Sequence, residues 1–192
     1  MGTEFELKYK ATAAQQQIIA REHAGFTEIS METTYYDTPS KDFSAGRITL
    51  RRRMENAVAI CTVKTPEKDG ARGEWELVCE DVAAAIPELC KLGAPEELLG
   101  WAKEGLFPLC GARFIRRATI IEQKDFTAEL ALDSGVLLGG GKEQPFCEVE
   151  LELKSGSREA LVAFADAFAN EHGLADETAS KFRRALALAT GE

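Results

Sequence analysis

Residues 147–154 read Cys-Glu-Val-Glu-Leu-Glu-Leu-Lys, and this stretch decides the fold. Glutamates at positions 148, 150 and 152 alternate with apolar residues, which is the period-two pattern of a β-strand with its charges on one face. Successive carboxylates lie roughly 7 Å apart, at two strand rises each. Because like charges on one solvated face repel one another, such a row is stabilised where cations face it. The sequence therefore predicts a strand whose acidic face meets basic side chains.

Five other stretches carry charges on one face and apolar residues on the other. With residues 147–154, the predicted strands of this kind cover residues 4–10, 48–53, 58–64, 73–78 and 126–133. One such strand alone would simply expose its charges to solvent. Six together predict a closed antiparallel β-barrel of the α+β class, polar inside, apolar outside and covered on the outside by helices. Acidic strands would form one wall of the interior and basic strands the other.

The remaining pattern fits one domain. Helical periodicity covers residues 13–23, 82–104 with a break at Gly93-Ala94-Pro95, 157–172 and 179–188. A Lys124-Asp125 turn joins strand residues 116–123 to 126–133, as in a tight hairpin. Residues 66–73 and 138–142 are predicted loops. No linker divides the chain, so we expect a single domain over residues 1–192.

Composition excludes several classes of function. The chain has 192 residues, a net charge of −9 and a pI near 4.9, which argues against nucleic-acid binding through bulk charge. No apolar run approaches the roughly 20 residues of a membrane span, and the N-terminus lacks a signal-peptide pattern, so we expect no membrane partner. The five cysteines have no C-x-x-C spacing. They indicate a reduced, cytoplasmic protein rather than a zinc site.

A charged interior needs a ligand that matches both walls, because unpaired charges in a narrow cavity are costly. Carboxylates without histidine or cysteine suit hard cations such as Mg²⁺ or Mn²⁺. Arginine and lysine suit phosphate oxygens, and arginine can bind them with two parallel hydrogen bonds. The residue types therefore predict a polyphosphate bound together with divalent metal.

The order of short motifs along the chain resembles one family. The series runs Glu4-x-Glu6-x-Lys8, Tyr35-Tyr36-Asp37-Thr38, Leu50-Arg51-Arg52-Arg53, Thr62-Val63-Lys64, Arg72-Gly73-Glu74-Trp75-Glu76, Phe114-Ile115-Arg116, Leu132-Asp133-Ser134-Gly135, Glu148-Val149-Glu150-Leu151-Glu152 and Ser180-Lys181. It is similar to the motif series of the CYTH superfamily of triphosphate tunnel metalloenzymes. The residues within the motifs most resemble those of bacterial inorganic triphosphatases. That family also includes thiamine triphosphatase and class IV adenylate cyclases.

The resemblance implies a role for each charged position. Metal ligands would be Glu4, Glu6, Asp133, Glu148, Glu150 and Glu152. Substrate contacts would come from Lys8, Arg51, Arg53, Lys64, Arg72, Arg116 and Lys181. Lys8 is also the catalytic candidate, either as a base toward the attacking water or as a plain phosphate clamp, and the residues leave both open. Glu152 would join the metal ligands or belong to the interior charge network, and Arg184 is a further candidate to reach the interior.

The activity implied by the resemblance is metal-dependent hydrolysis of a linear triphosphate, first of all inorganic tripolyphosphate. The alternatives are a class IV adenylate cyclase, a nucleoside or thiamine triphosphatase, and a polyphosphate-binding module without turnover. A cyclase must also recognise a base and deprotonate a 3′-hydroxyl, and the sequence offers no clear motif for either. Family members are often dimers, so a homodimer is a further expectation.

Overall fold

The computed structural model describes residues 5–66 and 73–191. Its strands are β1 (Glu6–Lys10), β2 (Thr27–Asp37), β3 (Thr49–Glu55), β4 (Val58–Lys64), β5 (Glu74–Val78), β6 (Phe107–Glu122), β7 (Phe126–Gly139), β8 (Lys142–Gly156) and β9 (Ala175–Asp176). Its helices are α1 (Ala13–Glu22), α2 (Asp42–Ala45), α3 (Val82–Lys91), α4 (Glu97–Trp101), α5 (Arg158–His172) and α6 (Lys181–Thr190). A 3₁₀ turn at Ala102–Glu104 follows α4.

The described strands form one antiparallel sheet in the order β5-β4-β3-β2-β6-β7-β8-β1-β9. The α+β class with a large antiparallel sheet is therefore confirmed. Within residues 5–66 and 73–191, β5 and β9 are the two edges, and no hydrogen-bonded pairing joins them. The sheet is nevertheless strongly curled, because Glu76 of β5 and Glu152 of β8 line the same cavity.

Strand register brings the charged positions to one face of the sheet. Lys8 pairs with Glu150 across β1 and β8, and Arg116 pairs with Asp133 across β6 and β7. Directly paired residues of antiparallel strands have their side chains on the same side. The pairing continues through β2, β3, β4 and β5, with one register shift between Tyr35 and Tyr36 where β2 meets β6, so this charged face extends across the sheet.

The opposite face is apolar and is covered by helices. Next to β1, β7 and β8, helices α1 and α5 bury a cluster that includes Ile19, Leu130, Leu151, Leu161 and Phe168. Next to β3, β4 and β5, helices α3 and α4 bury a second cluster that includes Leu50, Val63, Ile86, Leu89 and Leu98. Each fully buried aliphatic side chain stabilises the fold by about 1.5–3 kcal/mol, so these two clusters hold the sheet in its curl.

Helix α6 lies on the charged face instead. Its Phe182 ring packs against Tyr35 of β2 with centroids 4.9 Å apart, and its Ala185 is fully buried beside Phe114. At Gly139, a Cβ atom would lie 2.3 Å from the carbonyl oxygen of Ala185, so the helix is in direct contact with the backbone of β7. The prediction that helices cover the outside applies to α1, α3, α4 and α5, whereas α6 closes one end of the interior.

None of the helices in the described ranges has the length and apolar composition needed to cross a bilayer. Their ends follow ordinary capping chemistry. Thr12 and Gln15 form a reciprocal capping box at the start of α1, and Asp81 and Ser157 accept backbone hydrogen bonds at the starts of α3 and α5. Asp37 accepts from the backbone of Phe43 at 3.0 Å, so it supports the turn after β2.

Candidate functional site

The curl of the sheet encloses a cavity on the charged face. An inner compartment of about 100 Å³ is lined by β1, β2, β3, β4, β6, β8 and the start of α6. It continues into a wider mouth of about 680 Å³, and Arg51, Arg53, Arg116 and Glu152 line both parts. Most of the side chains predicted from sequence therefore meet in one continuous space.

Strands β3 and β4 supply a basic wall. Arg51 lies 3.7 Å and Lys64 lies 3.0 Å from the carboxylate of Glu74 on β5. Arg53 forms an ion pair with Glu55 on its own strand. Burial, together with the neighbouring charge of Arg51, lowers the pKa of Arg53 from its ordinary value. Desolvation and like-charge repulsion therefore both destabilise the positive charge of this wall.

The basic wall also has unmet hydrogen-bonding capacity. The Nε atoms of Arg51 and Arg53 are buried, and neither has a hydrogen-bond partner in the part of the chain that the structure describes. A buried donor without an acceptor costs about 1–3 kcal/mol. Both arginines line the cavity, so an anionic ligand there would supply acceptors for their guanidinium groups.

Strands β6 and β7 place Arg116 against Asp133. The guanidinium makes two parallel hydrogen bonds to the carboxylate, 2.8 Å from Nε to Oδ1 and 2.7 Å from Nη2 to Oδ2. The same Nη2 lies 2.5 Å from Glu150. Asp133 is completely buried, so this bidentate geometry supplies the hydrogen-bond partners that a buried carboxyl group needs.

Lys181, at the start of α6, sits where three carboxylates converge. Its Nζ lies 2.7 Å from Glu150 and 2.8 Å from Asp133, and it also bonds to Glu148. Burial alone would lower the pKa of Lys181, but these three carboxylates raise it above its usual value. Burial alone would raise the pKa of Glu150, but Lys181 and Arg116 hold it well below its usual range. Lys181 and Glu150 are therefore both charged at neutral pH.

Arg184 contacts the buried acidic residues, but it lines a separate cavity rather than the inner compartment or its mouth. Its Nη1 bonds to Glu148 and lies 3.0 Å from Glu177, which is buried. Arg184 is three residues after Lys181, and residues at this spacing share one face of a helix. That spacing is the sequence signal that connects Arg184 to the site.

Strand β1 contributes Lys8 and Glu6 to the inner compartment. Their side chains form an ion pair of 3.1 Å, and both line the cavity. Glu152 on β8 also lines it and lies 2.9 Å from Lys154. Two further predicted positions, Glu4 and Arg72, lie outside the described residues.

The predicted metal ligands differ in how they meet the cavity. Glu6, Glu150 and Glu152 line it. Asp133 and Glu148 are 0% and 1% exposed and lie behind Lys181. One carboxylate oxygen from each of Asp133, Glu148 and Glu150 lies within 4.8 Å of the others, a spacing that could also hold a metal ion. In both groups the donors are carboxylate oxygens, which fit Mg²⁺ or Mn²⁺.

Several residues that line the cavity were not predicted. They are the polar or aromatic side chains of Thr33, Tyr35, Thr49, Phe114, Ser180 and Phe182. Tyr35, Phe114 and Ser180 belong to motifs singled out from the sequence, but no motif assigned them to the interior. Thr49 and Phe114 lie two residues from Arg51 and Arg116, so the period-two pattern could have placed them. The other positions follow from strand register and from the docking of α6, neither of which is visible in the sequence.

Comparison with known proteins places this geometry in a family. The CYTH domain model matches residues 2–186. An inorganic triphosphatase of Haemophilus influenzae is 29% identical over 157 residues, which cover 81% of this chain and 45% of that protein. The chain thus spans about half the length of the curated relative that it matches.

Solved structures support the fold. A Hippeastrum protein described as an adenylyl cyclase with a dominant triphosphatase activity has a TM-score of 0.71 at 20% identity, with 93% of each chain covered. The PH1819 protein of Pyrococcus horikoshii has a TM-score of 0.63 at 22% identity, covering 95% of this chain and 98% of that one. From the family match over nearly its whole length, the chain belongs to the CYTH domain family.

Proposed function

We propose that this protein hydrolyses a linear triphosphate, inorganic tripolyphosphate first of all, in the cavity of the charged face. The observation that carries the proposal is the pairing of opposed walls. On one side lie Arg51 and Arg53, whose buried Nε donors have no acceptor in the described chain. On the other side, carboxylates that include Glu150 line the same cavity. Membership of the CYTH family and the similarity to an inorganic triphosphatase support the same activity.

The curled sheet, in this proposal, acts as a closed tunnel. Glu76 and Glu152 lie far apart in strand order, on β5 and β8, yet they line one cavity. Such closure would exclude bulk water from the phosphate chain and strengthen each charge interaction within it. The packing of α6 over one end, at Gly139, supports this arrangement.

The substrate would be held by the cations around the inner compartment. Arginine offers a planar fork that matches two phosphate oxygens, and lysine offers a point charge. The proposed contacts are Lys8, Arg51, Arg53, Lys64, Arg72, Arg116 and Lys181. By neutralising the charge that spreads over the transferring phosphoryl group, these residues would stabilise the transition state as well as bind the substrate.

The carboxylates that face the cavity would hold the divalent metal. We assign this role to Glu6, Glu150 and Glu152, together with Glu4. Bound Mg²⁺ or Mn²⁺ would supply Lewis acidity toward a phosphoryl oxygen and lower the pKa of an attacking water. Asp133 and Glu148 would instead hold the cations of the site in place, since both are already bonded to them.

We assign Lys8 to clamping phosphate. Its ammonium forms an ion pair of 3.1 Å with Glu6, and both residues line the inner compartment. A cation in this position can donate a hydrogen bond to a phosphate oxygen. The variant Lys8→Arg separates the two roles, because it keeps the charge and cannot act as a base. Retained turnover in Lys8→Arg supports the clamp, whereas its complete loss with unchanged binding supports the base.

The proposal extends to the cellular location, the binding partner and the oligomeric state of the protein. Each of the five cysteines is free in the structure, which supports a reducing, cytoplasmic location. The partner would be a small-molecule polyphosphate or nucleoside triphosphate, rather than nucleic acid or a membrane. A homodimer remains a prediction.

A phosphate-release panel tests the function. The substrates are tripolyphosphate, pyrophosphate, ATP and thiamine triphosphate, each with Mg²⁺, with Mn²⁺ and with EDTA. We expect release from tripolyphosphate that EDTA abolishes, and little release from pyrophosphate, which is too short to reach the metal and the basic wall together. Cyclic AMP formed from ATP would instead identify a cyclase, and binding without release would identify a polyphosphate-binding module.

A further inference from the structure

Gln16 is a polar side chain buried in an apolar core. It lies on α1, is 2% exposed, and precedes Ile19 of the cluster between α1, α5 and the sheet. Glutamine is mostly exposed in proteins, because burial of an amide without hydrogen bonds is costly. A buried glutamine at this position therefore depends on specific partners.

The Gln16 amide bonds to two adjacent strands at once. Its Nε2 donates to the carbonyl oxygens of Asp133 and Glu148, each at 2.9 Å. Asp133 and Glu148 are direct partners across β7 and β8. One side chain therefore joins both strands at a single register position, reaching them from helix α1 on the apolar face.

The same two residues hold the cations on the opposite face. Asp133 binds Arg116 bidentately and Lys181 at 2.8 Å. Glu148 binds Lys181 and Arg184. In a strand the side chains stand roughly perpendicular to the sheet. The backbone position of this pair therefore determines where its carboxylates stand, and with them the cations.

We infer that Gln16 is a positioning residue of the site. From the apolar face it fixes the Asp133–Glu148 pair, and through that pair it fixes Arg116, Lys181 and helix α6. This inference deepens the proposed function and rests on it where triphosphate binding is concerned. Outer hydrogen-bond partners of charged sites change affinity by about 10–100-fold, which sets the size of effect to expect.

The test compares two neighbouring glutamines. Gln16→Met keeps the length of the side chain and removes both donors. Gln17→Met makes the same change at the next residue of α1, which is exposed. Hydrogen exchange measured by mass spectrometry reports on α6, and calorimetry with tripolyphosphate in EDTA reports on binding without turnover. We expect Gln16→Met to speed exchange in residues 181–190 and to weaken tripolyphosphate binding about 10-fold, whereas Gln17→Met matches the wild type.

Each outcome decides one point. The inference would be overturned if Gln16→Met sped up exchange in α6 no more than in the sheet and left the tripolyphosphate affinity unchanged. Gln16 would then be a purely structural amide. If wild-type protein neither binds tripolyphosphate in EDTA nor hydrolyses it with Mg²⁺ or Mn²⁺, but Gln16→Met still loosens α6, the proposed function fails and the positioning role stands. Should Gln16→Met not fold, Gln16→Asn, whose amide is one methylene shorter, is measured in its place, and wild-type exchange in α6 would then contradict the inference.

Discussion

Lys181 Nζ lies 2.7 Å from Glu150 Oε1, and this contact joins the last helix to the acidic strand β8. The ammonium sits among three carboxylates in the position that a bound cation would take. Helix α6 therefore contributes a residue to the candidate site, in addition to closing one end of the interior. A metal ion or a phosphate chain entering the cavity would compete with this internal ion pair, so we expect ligand binding to affect the docking of α6.

Arg53→Ala tests whether the basic wall binds substrate. Hydrogen bonds to charged groups contribute about 1.5–3 kcal/mol, so we expect KM for tripolyphosphate to rise about 10–100-fold. The melting temperature should change little, because loss of the ion pair with Glu55 is offset by removal of a buried Nε donor without a partner in the described chain and of a like charge beside Arg51.

Two controls accompany this change. Arg53→Lys should recover only part of the loss, since a point charge does not reproduce the guanidinium fork. Arg113→Ala removes an exposed arginine from β6 and should leave KM unchanged. If Arg53→Ala lowers the melting temperature and leaves the kinetics of the folded enzyme unaltered, Arg53 only balances charge.

Glu6→Gln tests the metal ligands that face the cavity. Removing one carboxylate from a divalent-ion site should lower kcat by about 100-fold or more, as for loss of a key electrostatic group. Direct Mn²⁺ binding, followed by electron paramagnetic resonance, should weaken in parallel while thermal unfolding stays unchanged. Glu143→Gln, an exposed position on β8, is the matched control. Wild-type Mn²⁺ affinity in Glu6→Gln would exclude Glu6 as a ligand.

Asp133→Asn tests the assignment of this buried carboxylate to holding cations. The substitution leaves Arg116 and Lys181 buried with one partner fewer, and breaking a buried pair typically costs about 3–5 kcal/mol. A urea titration should show a correspondingly lower midpoint, with tripolyphosphate affinity reduced in the protein that remains folded. An unfolding midpoint equal to that of wild type would mean that the pair is dispensable for stability, and would favour Asp133 as a metal ligand.

Gly139→Ala tests the docking of α6. A Cβ at this position would lie 2.3 Å from Ala185 O and 2.7 Å from Ala189 N, both backbone atoms of the helix. We expect a loss of about 1–3 kcal/mol in stability and faster proteolysis near the C-terminus, because the helix must move away. Gly100→Ala, in α4 with no atom near the added methyl, should be neutral or stabilising. Equal behaviour of the two variants would show that α6 does not need its close contact.

Much of this site could be predicted from alternation alone. A period-two pattern fixes the face of a side chain, and strand register then brings Lys8 opposite Glu150 and Arg116 opposite Asp133. The predicted Lys124-Asp125 hairpin turn is confirmed between β6 and β7. The strands on either side are longer than predicted, since they continue to Phe107 and Gly139.

Other features depend on tertiary contacts that leave no local signal. β2 (Thr27–Asp37) was not predicted as a strand, because the alternation of residues 28–32 is short and polar Thr33 and Asp37 then interrupt its apolar face. The amphipathic pattern of α6 shows that it packs, but not that it packs on the charged face. The buried amide of Gln16 satisfies carbonyls of β7 and β8, and such long-range pairs cannot be read from one sequence.

Phosphorus NMR of tripolyphosphate incubated with the wild-type protein and Mg²⁺ tests the proposed triphosphatase activity. We predict that the tripolyphosphate resonances disappear while orthophosphate and pyrophosphate grow in equal amounts, and that EDTA stops the reaction. Pyrophosphate should then persist, since it is a poor substrate. Tripolyphosphate that stays intact through prolonged incubation with Mg²⁺ or Mn²⁺ would contradict the account.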